Sequence, residues 1–154
     1  MKSLSEIETT VKRASRAAGF SWGVAEEVAK GIRLLELFGF PGIRNLNQYY
    51  IDRDKSKYEN LNMISKNNKS NDLLFCPIIL GVSFLDQIRT IETFNKCIFQ
   101  KIAYPLLLLP FLSRASEIIG KKIHIKFDQK EILLNLNVNI YSNILNQELK
   151  VIAN

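Results

Sequence analysis

Two adjacent glutamates, Glu26 and Glu27, follow the only tryptophan of the chain in GFSWGVAEEVAKGIRLL, residues 19–35. A carboxylate works as an acid, a base or a ligand only when its surroundings hold it, so the question is which of the two is held. At roughly 100° per residue, Val24, Val28, Gly31, Leu35 and Phe38 share one helix face, with Ile32 on one flank and Glu27 on the other. Glu26, Lys30 and Arg33 fall on the far side, where Glu26 can pair with Lys30 one turn on. Glu27 therefore sits at the edge of an apolar face and needs a cation, because an unpaired buried charge is costly. With the apolar stripe of the first helix turned inward, Lys12, Arg13 and Arg16 point away from the second helix. Arg114, on the flank of a later short helix, is then the candidate for a bidentate arginine–carboxylate pair. Such a pair is either a strut between the two halves of the chain or the lining of a pocket for a small polar ligand. In the second case the ligand-binding set is Glu27, Arg114, Trp22 and Arg16, with Trp22 able to stack on a ligand.

Other chemistry-bearing residues form weaker patterns. Ser83, Asp86 and His124 supply the types of a nucleophilic triad, but LGVSFLD lacks the strained elbow that presents such a serine. His124 alternates with Ile123 and Ile125, so it shares a strand face with Lys122 and Lys126. Asn135, Asn137 and Asn139 of the next strand are expected on that face, which reads as a solvated sheet surface. Cys76 and Cys97 lie far apart without histidine or cysteine at ligand spacing, which fits buried thiols and neither a disulfide framework nor a metal site. No phosphate-binding loop or dinucleotide fingerprint is present, and no cofactor is implied.

The elements that must position these residues begin with a capping box, Ser3 and Glu6. After it Leu4, Ile7, Val11, Ala14 and Ala18 recur at helical spacing, so a first helix runs from about Leu4 to Ala18. Gly19 ends it. Ser21 caps a second helix to about Phe38, stopped by Gly39 and Pro41. The organisation expected is one domain over residues 1–154, with a helical hairpin in 1–50, a flexible polar segment in 52–72 and a β-rich half in 73–154. In that half LFCPIILGVSFLD and FNKCIFQKIA read as buried strands, and KIHIKF and ILLNLNVNIY as a hairpin. Pro110 and Gly120 bracket a short helix carrying Phe111, Leu112, Ala115, Ile118 and Ile119. The fold class expected is α+β, a helical hairpin packed on a mainly antiparallel sheet of about four strands with one further short helix.

With 154 residues, 47% hydrophobic and 23% charged, the composition is that of a globular domain. The longest oily run, Ile102 to Leu112, is broken by Pro105 and Pro110 and falls short of the roughly 20 residues a span requires. No signal peptide is legible, so a soluble, cytoplasmic protein without a membrane partner is expected. The net charge of +6 invites a nucleic-acid reading. The lysines are dispersed among acids and asparagines, however, and the second helix opens on glutamates where a recognition helix would meet phosphates. Specific nucleic-acid binding is not expected.

The stretches RAAGFSWGVAEEVAKGIRLL (residues 16–35) and YPLLLLPFLSRASE (residues 104–117) resemble an uncharacterised bacterial domain-of-unknown-function family, whose helical-hairpin motif reads R-A-A-G-x-x-W-G-x-A-E-E in this chain. The family pattern has glycines where this chain has Ala17 and Ala29, and a tryptophan at the position of Leu34. The resemblance implies no activity. The function expected from the residues is a non-catalytic accessory module binding a protein partner or a small polar ligand. The alternative is a small enzyme acting on a polar anionic metabolite, with Glu27 as acid or base and Arg114 anchoring the anion.

Overall fold

The computed structural model of the chain describes residues 3–70, 72–127, 130–134 and 148–153. The first three helices are α1 (Leu4–Ala17), α2 (Trp22–Leu37) and α3 (Gly42–Lys55). The Ser3 hydroxyl accepts the Glu6 N–H at 3.2 Å and the Ser21 hydroxyl the Val24 N–H at 3.3 Å, so both expected caps form. Among the described residues, α1 and α2 make the most extensive contact of any two elements. Both helices stop in the same way. Gly19 and Phe20 donate to the carbonyls of Arg16 and Ser15, and Gly39 and Phe40 to those of Glu36 and Leu35. These are two Schellman turns, each with a glycine at positive φ (103° and 82°) and a phenylalanine after it.

Helix α3 is the first departure from the sequence reading, which expects a flexible polar segment over residues 52–72. Residues 52–55 are the last turn of α3, whose inner face carries Leu46 and Tyr49. The polar residues around these hide the helical period. The stretch that follows is bonded to its neighbours rather than standing free. Ile64 N–H donates to the Gln87 side chain at 2.9 Å, the Asn68 amide donates to the Ser65 and Ile98 carbonyls, and β1 (Asn67–Asn68) pairs with β2 (Lys96–Phe99).

The stretch expected as a buried strand, Leu74 to Asp86, holds α4 (Pro77–Asp86), with Cys76 as its cap and Pro77 in its first turn. A short run apolar on all sides fits a buried helix as well as a buried strand, and Pro77 decides for the helix. After α5 (Ile88–Ile91), a 3-10 turn (Glu92–Phe94), β2 and a second 3-10 turn (Pro105–Leu108) comes α6 (Leu109–Ile119), the short helix expected. Then follow β3 (Lys122–Phe127), β4 (Lys130–Leu134) and β5 (Glu148–Ala153).

Mixed helix and strand is thus the class, but the sheet is not mainly antiparallel. Its order is β1-β2-β5-β3-β4. β1–β2, β2–β5 and β5–β3 run parallel, and among the described residues only the β3–β4 pair is antiparallel. Parallel pairing needs crossovers; α4 and α5 lie between β1 and β2 in sequence, and α6 lies between β2 and β5. The core includes the fully buried Phe75, Leu80, Phe84, Phe99, Leu112 and Ile123. Close packing of α4 on α6 depends on Gly81, where a Cβ would stand 2.3 Å from the Phe111 ring. No helix among the described residues is long and apolar enough to cross a membrane.

Candidate functional site

Helix α2 carries Trp22, Glu26 and Glu27, and the structure divides them between its two sides. Gly31 lets α6 approach closely, since a Cβ there would lie 3.0 Å from Pro110. That approach brings Arg114 to Glu27, with Arg114 Nη1 donating to Glu27 Oε2 at 2.7 Å and to Oε1 at 3.0 Å. One nitrogen serves both oxygens, so the contact is not the two-pronged fork expected. Nor is it deeply buried: the Glu27 side chain is 29% exposed and that of Arg114 47%.

Trp22 and Arg16 belong to the other group. Trp22 is exposed, with the Arg16 guanidinium 4.6 Å and the Lys12 ammonium 5.5 Å from its ring centre. Arg16 also donates to the Phe20 carbonyl at 2.8 Å. Lys12 reaches Glu26 at 2.9 Å, and Arg33 reaches Glu8 at 2.8 Å. The expectation that the cations of the first helix all turn away from the second is therefore corrected, and the partner of Glu26 is Lys12 rather than Lys30. The hydrogen bond and charge of Lys12 hold the Glu26 carboxyl below its ordinary range. The four expected ligand-binding residues thus fall into two pairs, Glu27 with Arg114 and Trp22 with Arg16.

Beside the first pair lies a cavity lined by Val28, Gly31, Ile32, Leu46, Leu107 and Pro110, among others, of about 10 Å³. That volume is at the threshold for a single water. Its lining is apolar and includes neither Glu27 nor Arg114.

The other constellations resolve as follows. Ser83 is buried on α4 while Asp86 is exposed, so the helix separates two groups a triad must join. His124 in β3 stands opposite Leu133 of β4 and Lys150 of β5, and Lys126 opposite Glu131. Asn135, Asn137 and Asn139 lie outside the described residues. Cys76 and Cys97 are free and buried, and burial pushes the Cys97 thiol up to about 12. Among the described residues no cluster of three histidine, cysteine, aspartate or glutamate side chains is placed to hold a metal.

Two features go unread in the sequence. The first is a tyrosine cluster around α3. The Tyr49 hydroxyl meets Cys76 Sγ at 2.7 Å, that of Tyr50 meets the Ser15 hydroxyl at 2.6 Å, and that of Tyr104 donates to the Asp52 carboxylate. Burial raises Tyr50 to about 12, and the Asp52 hydrogen bond raises Tyr104 to about 12, so these phenols stay neutral. Tyr104 is held at φ 46°, a strained conformation for a residue with a side chain. The cluster ties α1, α3, α4 and the second 3-10 turn together. Tyr49 and Tyr50 lie three and four residues after Leu46, a helical spacing that would have revealed it.

The second is the α2–α3 turn, LFGFPGI (residues 37–43). Phe38 is 68% exposed and Leu37 59%, and Phe40 and Ile43 are exposed as well. The sequence reading puts Phe38 in the core stripe of α2. It lies instead past the last helical residue, where the Schellman turn at Gly39 swings the chain away. The signal for it is an apolar run continuing through glycine and proline, where turns are ordinarily polar.

No curated protein and no solved structure matches the chain. Residues 104–117, part of the resemblance drawn from sequence, lie outside the family match described next. Residues 2–73, which carry α1, α2, α3 and the exposed turn between the last two, match the model of a family described as "Protein of unknown function (DUF3726)".

Proposed function

We propose that the chain is a non-catalytic binding module that docks through its α2–α3 turn. The observation that carries this reading is the exposure of Leu37, Phe38, Phe40 and Ile43 together within seven residues. Fully burying one such side chain is worth about 1.5–3 kcal/mol, so a cluster of them left in water is a reservoir of binding free energy. Pro41 fixes its own φ, and Glu36 Oε1 accepts the Ile43 N–H at 3.0 Å, which ties the end of α2 to the start of α3. A pre-shaped surface loses little entropy on docking.

The Glu27–Arg114 pair fits a strut, joining the family-matched segment to α6. The enzyme alternative, with Glu27 as acid or base and Arg114 anchoring an anionic metabolite, requires the two charges to leave one another. The neighbouring apolar cavity offers a polar substrate no room. The docking reading is tested by retention on a phenyl resin. Phe38→Ser/Phe40→Ser should elute well before the parent chain at an unchanged thermal midpoint, and equal retention would dismiss the turn as a docking surface.

A further inference from the structure

We propose that what the α2–α3 turn docks on is an anionic lipid surface, an inference that rests on the docking reading above and names its partner. The middle of the turn faces open space, since a Cβ at Gly39 would meet nothing within 4 Å. Its four apolar side chains come from one short stretch between two helix ends, and the two nearest the tip of α2, Leu37 and Phe38, are the most exposed of them. An exposed apolar wedge bearing phenylalanine and leucine suits the boundary between headgroups and acyl chains, which adapts to it without offering a matching cleft.

Charge selects the kind of surface. Residues 30–44 hold three cations, Lys30, Arg33 and Arg44, against one acid, Glu36. The acid is half-buried with Oε1 occupied by the Ile43 N–H. Arg33 is paired with Glu8. Lys30 and Arg44 are exposed on the two helices that lead into and out of the turn, Arg44 directly after Ile43 and Lys30 about 10 Å back along α2, within the range over which they attract lipid phosphates and carboxylates. A second copy of the chain would bring the same cations against them, on a body that already carries +6. The sequence reading sets membranes aside because the chain lacks a span and its lysines are dispersed, but a wedge that lies in the interface requires no span and draws only on the cations beside it.

The experiment is co-sedimentation of the whole chain with vesicles, one set of phosphatidylcholine alone and one in which about a third of the lipid is phosphatidylserine. The parent chain should pellet with the anionic vesicles and bind the neutral ones at least about tenfold more weakly, with binding falling as salt rises. Phe38→Ser/Phe40→Ser should lose binding to both, and Arg44→Glu should lose the preference for anionic vesicles. A parent chain that stays in the supernatant with both vesicle types overturns the lipid assignment. If it still shows turn-dependent retention on phenyl resin, the docking reading survives; if that retention is absent, both fail. Concentration-dependent dimerisation abolished by the double serine variant, without vesicle binding, overturns the assignment in favour of a second copy. Unaltered vesicle binding by the double variant overturns it as well, since the lipid contact would then lie elsewhere.

Discussion

The turns that end α1 and α2 share one backbone device and meet opposite fates. Each is a Schellman turn with glycine at positive φ followed by phenylalanine, Gly19-Phe20 in one and Gly39-Phe40 in the other. Phe20 is buried, with the Arg53 guanidinium of α3 4.2 Å from its ring centre and the Tyr50 ring at 6.2 Å. Phe40 is exposed, as are Leu37 and Phe38 before it. Local sequence specifies the turn; whether its phenylalanine is covered depends on what the rest of the chain brings to it. The first turn is covered by α3, whereas the second stays uncovered among the described residues.

This contrast can be broken most forcefully at Phe20. Phe20→Ala removes a buried ring and should lower stability by about 3–5 kcal/mol, measured by urea unfolding. A loss below about 1 kcal/mol would mean that the first turn is no better covered than the second.

A smaller effect is expected at Glu27. Because Glu27 and Arg114 are both partly exposed, Glu27→Gln should cost up to about 1 kcal/mol, far from the loss of a fully buried pair. A double-mutant cycle with Arg114→Ala isolates the coupling, and a coupling of several kcal/mol would show the pair to be shielded from water.

The Glu26–Lys12 bond gives a smaller signal again, read best by pH. Its lowered folded-state value means that its stabilisation is present above the ordinary glutamate range and is lost as pH falls through that lowered value. An NMR titration should find Glu26 ionising below a typical glutamate, returning toward it in Lys12→Ala. An unchanged titration would show that another group sets it.

Smallest of all should be the effect of Phe40→Ala on folding. It is expected within about 0.5 kcal/mol of the parent chain, and a loss matching that of Phe20→Ala would erase the difference between the two turns.

The residues legible in the sequence are those whose structure is set nearby. The caps at Ser3 and Ser21, the glycine stops and the Pro110-to-Gly120 helix are all fixed within a turn or two of sequence. The Glu27–Arg114 contact is also expected from helical phase, but the step that set aside the cations of α1 does not hold, since Lys12 reaches Glu26 and Arg16 lies over Trp22. Three things are not legible. α4 reads as a strand because a short run apolar on every side carries no period. The parallel order of the sheet depends on which distant strands meet, as with β5 between β2 and β3, and alternation within a strand says nothing of that. Phe38 fits the apolar stripe of α2 by angle, but angle has no meaning one residue past the helix end.

Whether the α2–α3 turn stands open in the folded chain is read out by thiol labelling of Phe38→Cys under native conditions. Cys76 and Cys97 are buried and should react only as the chain opens, so the account predicts one thiol reacting at the rate of a free cysteine and two lagging far behind. An introduced thiol that reacts no faster than the two native ones would mean that the turn is covered within the fold, and would contradict the account.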